Sequence, residues 1–184
     1  GSLKNFTSAR LNSKFSLLYG RIDVRAKLPA SKGTWPAIWT LGTNSGERGN
    51  YFGTVDGNVG WPECGEIDIM EQEGENKQIL YGTFHWAGGG GQPASYGLTK
   101  DISSLNISEV TSEFHLYSLI WNSASIQVLV DNILLAELAN SAEVPFDNPH
   151  YLLLNIAMGG TLGGTIPGDF VQDSMEIDYV RFYQ

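Results

Sequence analysis

The sequence predicts an all-β chain, an antiparallel sandwich or barrel, on three observations. Nine short apolar stretches recur along its 184 residues. Glycine-rich and polar turn segments separate them, and the 22 glycines accompany an abundance of aromatic and β-branched residues. No segment carries a helical period for more than about a turn, which leaves strands as the only repeating element. Many short strands without intervening helices pack as sandwiches or barrels rather than as parallel α/β sheets.

In chain order, the expected strand segments are residues 15–28, 35–41, 65–72, 79–86, 114–121, 126–130, 133–138, 151–157 and 175–183. Asp131-Asn132 between two apolar runs reads as a two-residue hairpin turn, since both residue types tolerate positive φ. Helical turns are expected only at 141–144 and, with it, 107–112. Two loops stand out. Residues 43–61 hold five glycines and join a tryptophan-bearing strand to an acidic one. Residues 86–96 contain four consecutive glycines, 88–91, with no lysine or helix after them. That second loop reads as flexible and overhanging a cleft, not as a phosphate cradle.

A length of 184 residues fits one domain spanning 1–184. The net charge of −9 and the lack of any lysine or arginine block argue against a nucleic acid or an anionic membrane surface as partner. A neutral polymer suits an acidic protein better. Cys64 is the single cysteine, so no internal disulfide forms, and its thiol is expected to serve packing. No run of ~18 apolar residues is present to span a bilayer as a helix. No signal peptide is visible, and Gly1-Ser2 reads as an expression remnant.

The most informative stretch is Glu66–Glu71, E-I-D-I-M-E, with three carboxylates in six residues of an otherwise apolar strand. Clustered, desolvated carboxylates repel one another, so a structural strand has little reason to hold them. A glycosidase has one: it needs an ionised carboxylate and a protonated carboxylic acid flanking a single bond. Side chains alternate along a strand, so Glu66 and Asp68 share a face, whereas Glu71 falls one place out of phase. A β-bulge absorbing one residue restores Glu71 to that face.

Tryptophans surround this strand in sequence. Trp35, Trp39 and Trp61 precede it and Trp86 follows; a flat indole suits the apolar face of a sugar ring. Trp61 is the strongest candidate, because it follows a glycine-rich loop and precedes a proline, where no core strand is expected. Trp121 reads as core. His85, in G-T-F-H-W, can face the same cleft and bond a carboxylate or a hydroxyl, whereas His115 and His150 read as structural. No Cys/His cluster suggests catalytic zinc, and no G-x-S-x-G elbow suggests a serine nucleophile.

G-E-I-D-I-M-E-Q at 65–72 resembles the signature of glycoside hydrolase family 16, in the bulged form of its laminarinase-like members. Y-G-R-I-D-V-R-A-K-L-P at 19–29, G-T-W-P-A-I-W-T-L at 33–41, W-P-E-C-G at 61–65 and G-T-F-H-W at 82–86 are similar to further blocks of that family. So are L-L-N-I-A-M-G-G at 153–160 and M-E-I-D-Y-V-R-F-Y-Q at 175–184. The resemblance implies a concanavalin A-like β-jelly-roll sandwich of two curved antiparallel sheets with a concave cleft for a β-glucan polysaccharide. By that resemblance Glu66 is the nucleophile, Asp68 the assisting carboxylate and Glu71 the acid/base of a retaining endo-1,3-β-glucanase. Trp35, Trp39, Trp61, His85, Arg21 and Asn155 are the expected substrate-binding residues. Asp178 is the expected ligand of a structural calcium, with no cofactor for catalysis. The resemblance further implies a secreted or cell-surface protein. It also implies N-terminal strands ahead of this sequence, which a preceding segment or a second chain would supply. The alternatives it leaves are action on mixed-linkage β-glucan or a marine galactan, or a non-catalytic β-glucan-binding protein.

Overall fold

The computed structural model describes residues 5–144 and 146–184. Eleven strands form two antiparallel sheets, so the sandwich reading holds over the barrel. The strands are β1 (Arg10–Leu17), β2 (Gly20–Lys27), β3 (Thr34–Gly42), β4 (Glu66–Gln72), β5 (Ile79–Ala87), β6 (Pro93–Asp101), β7 (His115–Trp121), β8 (Ser125–Val130), β9 (Ile133–Ala139), β10 (His150–Met158) and β11 (Glu176–Tyr183). One sheet has the order β1-β10-β3-β4-β5-β6 and the other β11-β2-β7-β8-β9.

Each sheet turns one face inward. Ile22, Val24 and Ala26 from β2 meet Tyr117, Leu119 and Trp121 from β7 and Ile126, Val128 and Val130 from β8 on one side of the core. Ile38, Ile67, Leu80 and Phe84 come from the six-stranded sheet, and all of these side chains are essentially buried. The outer face of the six-stranded sheet is covered at one end by the 43–61 loop. There Leu41, Cys64, Tyr151 and Leu153 form a second apolar cluster beneath Phe52 and Val59 of the 43–61 loop. That loop is tied down by backbone bonds between Gly46 and Val59 and between Val59 and Asn44. It walls off one end of the face.

Four sequence expectations change. Residues 15–28 are not one strand: the chain turns at Tyr19-Gly20, where φ is 64° and 127°, and passes from one sheet to the other. The turn is hidden in the sequence because Leu18 and Tyr19 are apolar and strand-favouring. Residues 93–96, read as loop, begin β6, an edge strand too exposed for an apolar alternation to mark it. Residues 107–112 are not helical, and a 3₁₀ turn lies instead at Ile102–Leu105, with a short helix α1 at Gly160–Gly163. Residues 141–144 form a tight turn closed by bonds between Ser141 and Val144 rather than a helix. The Asp131-Asn132 hairpin is present, both residues at positive φ (50° and 64°).

Candidate active site

β4 lies near the middle of the six-stranded sheet, between β3 and β5. Its register against β3 pairs Asp68 with Trp39, Met70 with Ile38 and Glu71 with Ala37, so Ile69 is the extra residue of a bulge. The same slip appears against β5, between Asp68 and Glu71. Ile69 and Met70 are consecutive, yet both are fully buried in the core. Burying side chains of that size stabilises by about 1.5–3 kcal/mol each, and satisfying both forces the bulge. Its consequence is chemical: Glu66, Asp68 and Glu71 come to line one cleft.

Gly65 sets the entry to this strand. Its φ is +75°, where a larger residue would be strained, and a Cβ there would lie 3.2 Å from Nε2 of the buried His150, a tight approach. His150 bonds Thr40 Oγ1 through Nδ1 at 2.9 Å, and burial depresses its pKa to about 3. It supports the floor of the site and does not face the cleft.

The two ends of the acidic strand each meet an indole. Trp61 Nε1 donates to Glu66 Oε2 at 3.1 Å, and Trp35 Nε1 donates to Glu71 Oε1 at 2.8 Å. His85, opposite Glu66 on β5, brings Nε2 to 3.2 Å from Asp68 Oδ2 and 3.9 Å from Glu66 Oε1. Its ring lies 5.7 Å from that of Trp61. Trp39 Nε1 donates to Asn155 Oδ1 at 2.7 Å, joining β3 to β10 across the cleft floor. A hollow of about 210 Å³ bounded by Trp35, Ala37, Asp68, Glu71, Asn155 and Ala157 holds the centre. Past Trp39 and Glu66 it opens into a groove of about 610 Å³, walled by Glu47, Val59 and Trp61.

All three carboxyls hold protons more tightly than free ones. Burial first, and then the charge of Asp68, push Glu66 up to about 8, against the opposing pull of His85. Asp68 is raised well above the usual carboxylate range by its complete burial and by the charge of Glu71, offset in part by a hydrogen bond with Glu66. Burial raises Glu71 too, while the Trp35 N–H and His85 act the other way. The cluster therefore carries shared protons near neutrality and titrates as one set.

Of the residues expected at the site, Glu66, Asp68, Glu71, Trp35, Trp39, Trp61, His85 and Asn155 come together. Arg21 does not. It lies on β2 in the opposite sheet, where it bonds Asp23 Oδ1 at 2.6 Å, Ser118 Oγ at 3.3 Å and Asn132 Oδ1 at 3.0 Å. Its neighbour Ile22 fills the core, and strand alternation turns Arg21 to the far outer face. Asp178, the expected calcium ligand, accepts from Arg25 Nη1 at 2.7 Å on the edge strand β11. Calcium takes six to eight oxygen ligands. Here the carboxylate is engaged by a guanidinium, and among the described residues no acidic or histidine cluster includes Asp178.

Arg10 was not anticipated. Its guanidinium sits 4.8 Å over the Trp39 ring and pairs with Glu47 from the loop wall. Only the pairing of β1 with β10, which sets Arg10 opposite Asn155, brings it there. No local sequence pattern signals that long-range register.

A two-sheet β-sandwich whose open face carries paired carboxylates between tryptophans defines a carbohydrate-cleft protein of the glycosidase type. The model of glycosyl hydrolases family 16 matches residues 2–181, and the chain belongs to that family. Among solved structures it is similar to LamAcat of Zobellia galactanivorans, at 55% identity and a TM-score of 0.89, covering 95% of this chain and 68% of that one. A variant of the Zobellia protein, solved in complex with laminaritriose and laminaritetraose, matches at 54% identity and a TM-score of 0.89, covering 95% and 69% of the two chains. A beta-glucanase of Rhodothermus marinus is 35% identical over 98% of this chain. The chain spans 63% of that relative's length, less than two thirds.

Proposed function

We propose that this chain hydrolyses internal β-1,3-glucosidic bonds of a laminarin-type glucan with retention of configuration. The observation that carries the proposal is the pair of glutamates brought to one face by the bulge, with the buried Asp68 between them. Support for the glucan comes from the identity shared with LamAcat and from the laminari-oligosaccharides bound by the variant of that protein.

In this reading Glu66 attacks the anomeric carbon while Glu71, protonated, delivers its proton to the departing glycosidic oxygen. A water then attacks the glycosyl-enzyme, and Glu71 takes its proton, so two inversions give net retention. Glu66 must be ionised to attack. Asp68, buried and hydrogen-bonded to Glu66, is able to hold the proton that Glu66 gives up. The Trp61 N–H and His85 then stabilise the Glu66 carboxylate. Trp39, held by Asn155, and Trp61 offer flat apolar surfaces to the sugar rings. A polysaccharide does not cross a membrane intact, so the proposal carries with it action outside the cell.

The test is a reducing-end assay on laminarin, lichenan, agarose, carrageenan and xyloglucan, with the anomer of the first product followed by proton NMR. Laminarin is expected to be cleaved fastest and to release the β-anomer first. Faster cleavage of a galactan, or binding of laminarin with no new reducing ends, would overturn the assignment.

A further inference from the structure

We infer that Trp35 is a positioning residue that dictates which oxygen of Glu71 carries the transferable proton. This rests on the proposed function, because it concerns the acid/base step of that reaction. The sequence suggested a sugar platform for Trp35. The geometry points elsewhere: its indole N–H lies 2.8 Å from Glu71 Oε1.

An indole nitrogen donates and never accepts. While Trp35 donates to Oε1, a proton on that oxygen would have to share its lone-pair side with a second hydrogen. The acid form of Glu71 therefore carries its proton on Oε2. In the first half-reaction the Oε2–H bond breaks towards the glycosidic oxygen as the C–O bond electrons move onto that oxygen. In the second, Oε2 receives a proton from the attacking water. Oε1 stays bonded to the indole throughout, which holds the carboxyl plane still while the charge on it changes twice.

Three features make Trp35 fit for this role. It sits within β3, opposite Ala157 in the register with β10, not on a loop. Its ring and Cβ rest against α1: a Cβ placed on Gly160 would lie 3.4 Å from the ring, and one on Gly163 would lie 3.5 Å from Trp35 Cβ. That turn is in turn bonded to the segment after β4, from Gly74 N to Leu162 O at 2.7 Å and from Thr165 N to Glu75 Oε1 at 2.7 Å. The ring is thus locked to the strand whose glutamate it serves. Around Glu71 the other titratable groups are Glu66, Asp68 and Glu73 on its own side of the sheet and Tyr81 and His85 on β5. Tyr81 sits across from Glu71, but its hydroxyl is turned to Glu73 Oε2 at 3.1 Å. From β3 the polar group reaching Glu71 is the Trp35 N–H.

The experiment compares Trp35→Phe with the wild-type chain. Loss of a hydrogen bond to an ionisable partner predicts kcat on laminarin lower by about 10- to 100-fold, with KM within about twofold. The N–H favours the ionised carboxylate, so its removal should move the basic limb of the kcat/KM profile to higher pH. With a 2,4-dinitrophenyl leaving group, which needs little protonation, the loss in kcat/KM, which reports the first half-reaction alone, should be at least about tenfold smaller than on laminarin. Equal losses on both substrates, a rise confined to KM, or an unmoved pH profile would overturn the inference. A readout without the variant is the ¹H–¹⁵N resonance of the Trp35 indole in the wild-type chain. It should titrate with the basic limb and stop doing so in Glu71→Gln; an indole signal insensitive to pH refutes the contact. If wild-type chain leaves laminarin uncut, the glucan assignment fails first, and the indole titration still decides the role of Trp35.

Discussion

The two ends of the acidic strand use the same device on different scaffolds. At Glu66 the indole is Trp61, 57% exposed at the end of a long glycine-rich loop. At Glu71 it is Trp35, within a strand and seated on a glycine turn. A loop-borne ring can adapt to a sugar and release the nucleophile, whereas a strand-borne ring can only hold still. The difference matches the chemistry. The nucleophile's carboxylate becomes an ester and loses its charge, while the acid/base must return to one geometry for two proton transfers.

The largest effects should separate the two glutamates themselves. Glu66→Gln and Glu71→Gln should each lower laminarin turnover by at least ~10³-fold. Added azide then divides them: Glu66→Ala should be rescued with inverted glycosyl azide, and Glu71→Ala, on an activated aryl glycoside, with retained product. The opposite stereochemistry in either variant would exchange the roles assigned to the two ends.

A smaller effect should distinguish the tryptophans. Trp61→Ala is expected to raise KM about tenfold, or about 1.4 kcal/mol of lost binding, with the basic limb of the pH profile in place. A shift of that limb would mean that Trp61 and Trp35 act alike, and the contrast between loop and strand would fall.

Stability tests the electrostatics independently of activity. The folded chain holds the Glu66 proton up to about pH 8, whereas the unfolded chain releases it near the ordinary value of 4.5. Stability should therefore decline as pH rises through that window. Glu66→Gln removes the buried charge, so its Tm should exceed that of the wild-type chain by several degrees at pH 8 and match it at pH 4. A variant less stable than wild type at pH 8 would show that Glu66 is not the strained group. The smallest effect belongs to the half-exposed Arg10–Glu47 pair at the groove wall. Glu47→Gln should change KM on laminarin by no more than about twofold, and stability by at most about 1 kcal/mol; a larger change in KM would make that pair part of the binding surface.

How much of this site was legible in the sequence follows from the range over which each residue is positioned. The bulge was readable because Ile69-Met70 sits inside six residues and the strand period is strictly two. His85 was readable because one short connection places β5 beside β4. Arg21 misled because it lies in a block otherwise rich in family-like residues, yet its strand belongs to the other sheet. Arg10 escaped notice because its place depends on pairing with a strand about 145 residues away, a register that no window of sequence encodes.

The sequence by itself determined the fold class, the three acids and their common face. Alternation and bulging are local consequences of which side chains must be buried. Only the tertiary structure decided what each acid touches. The indole of Trp35 reaches Glu71 across 36 positions and that of Trp61 reaches Glu66 across five, and both look alike as letters. One is anchored by sheet register and a glycine turn, the other by a loop. Hydrogen bonds depend on atoms meeting in space, and that meeting is set by long-range packing.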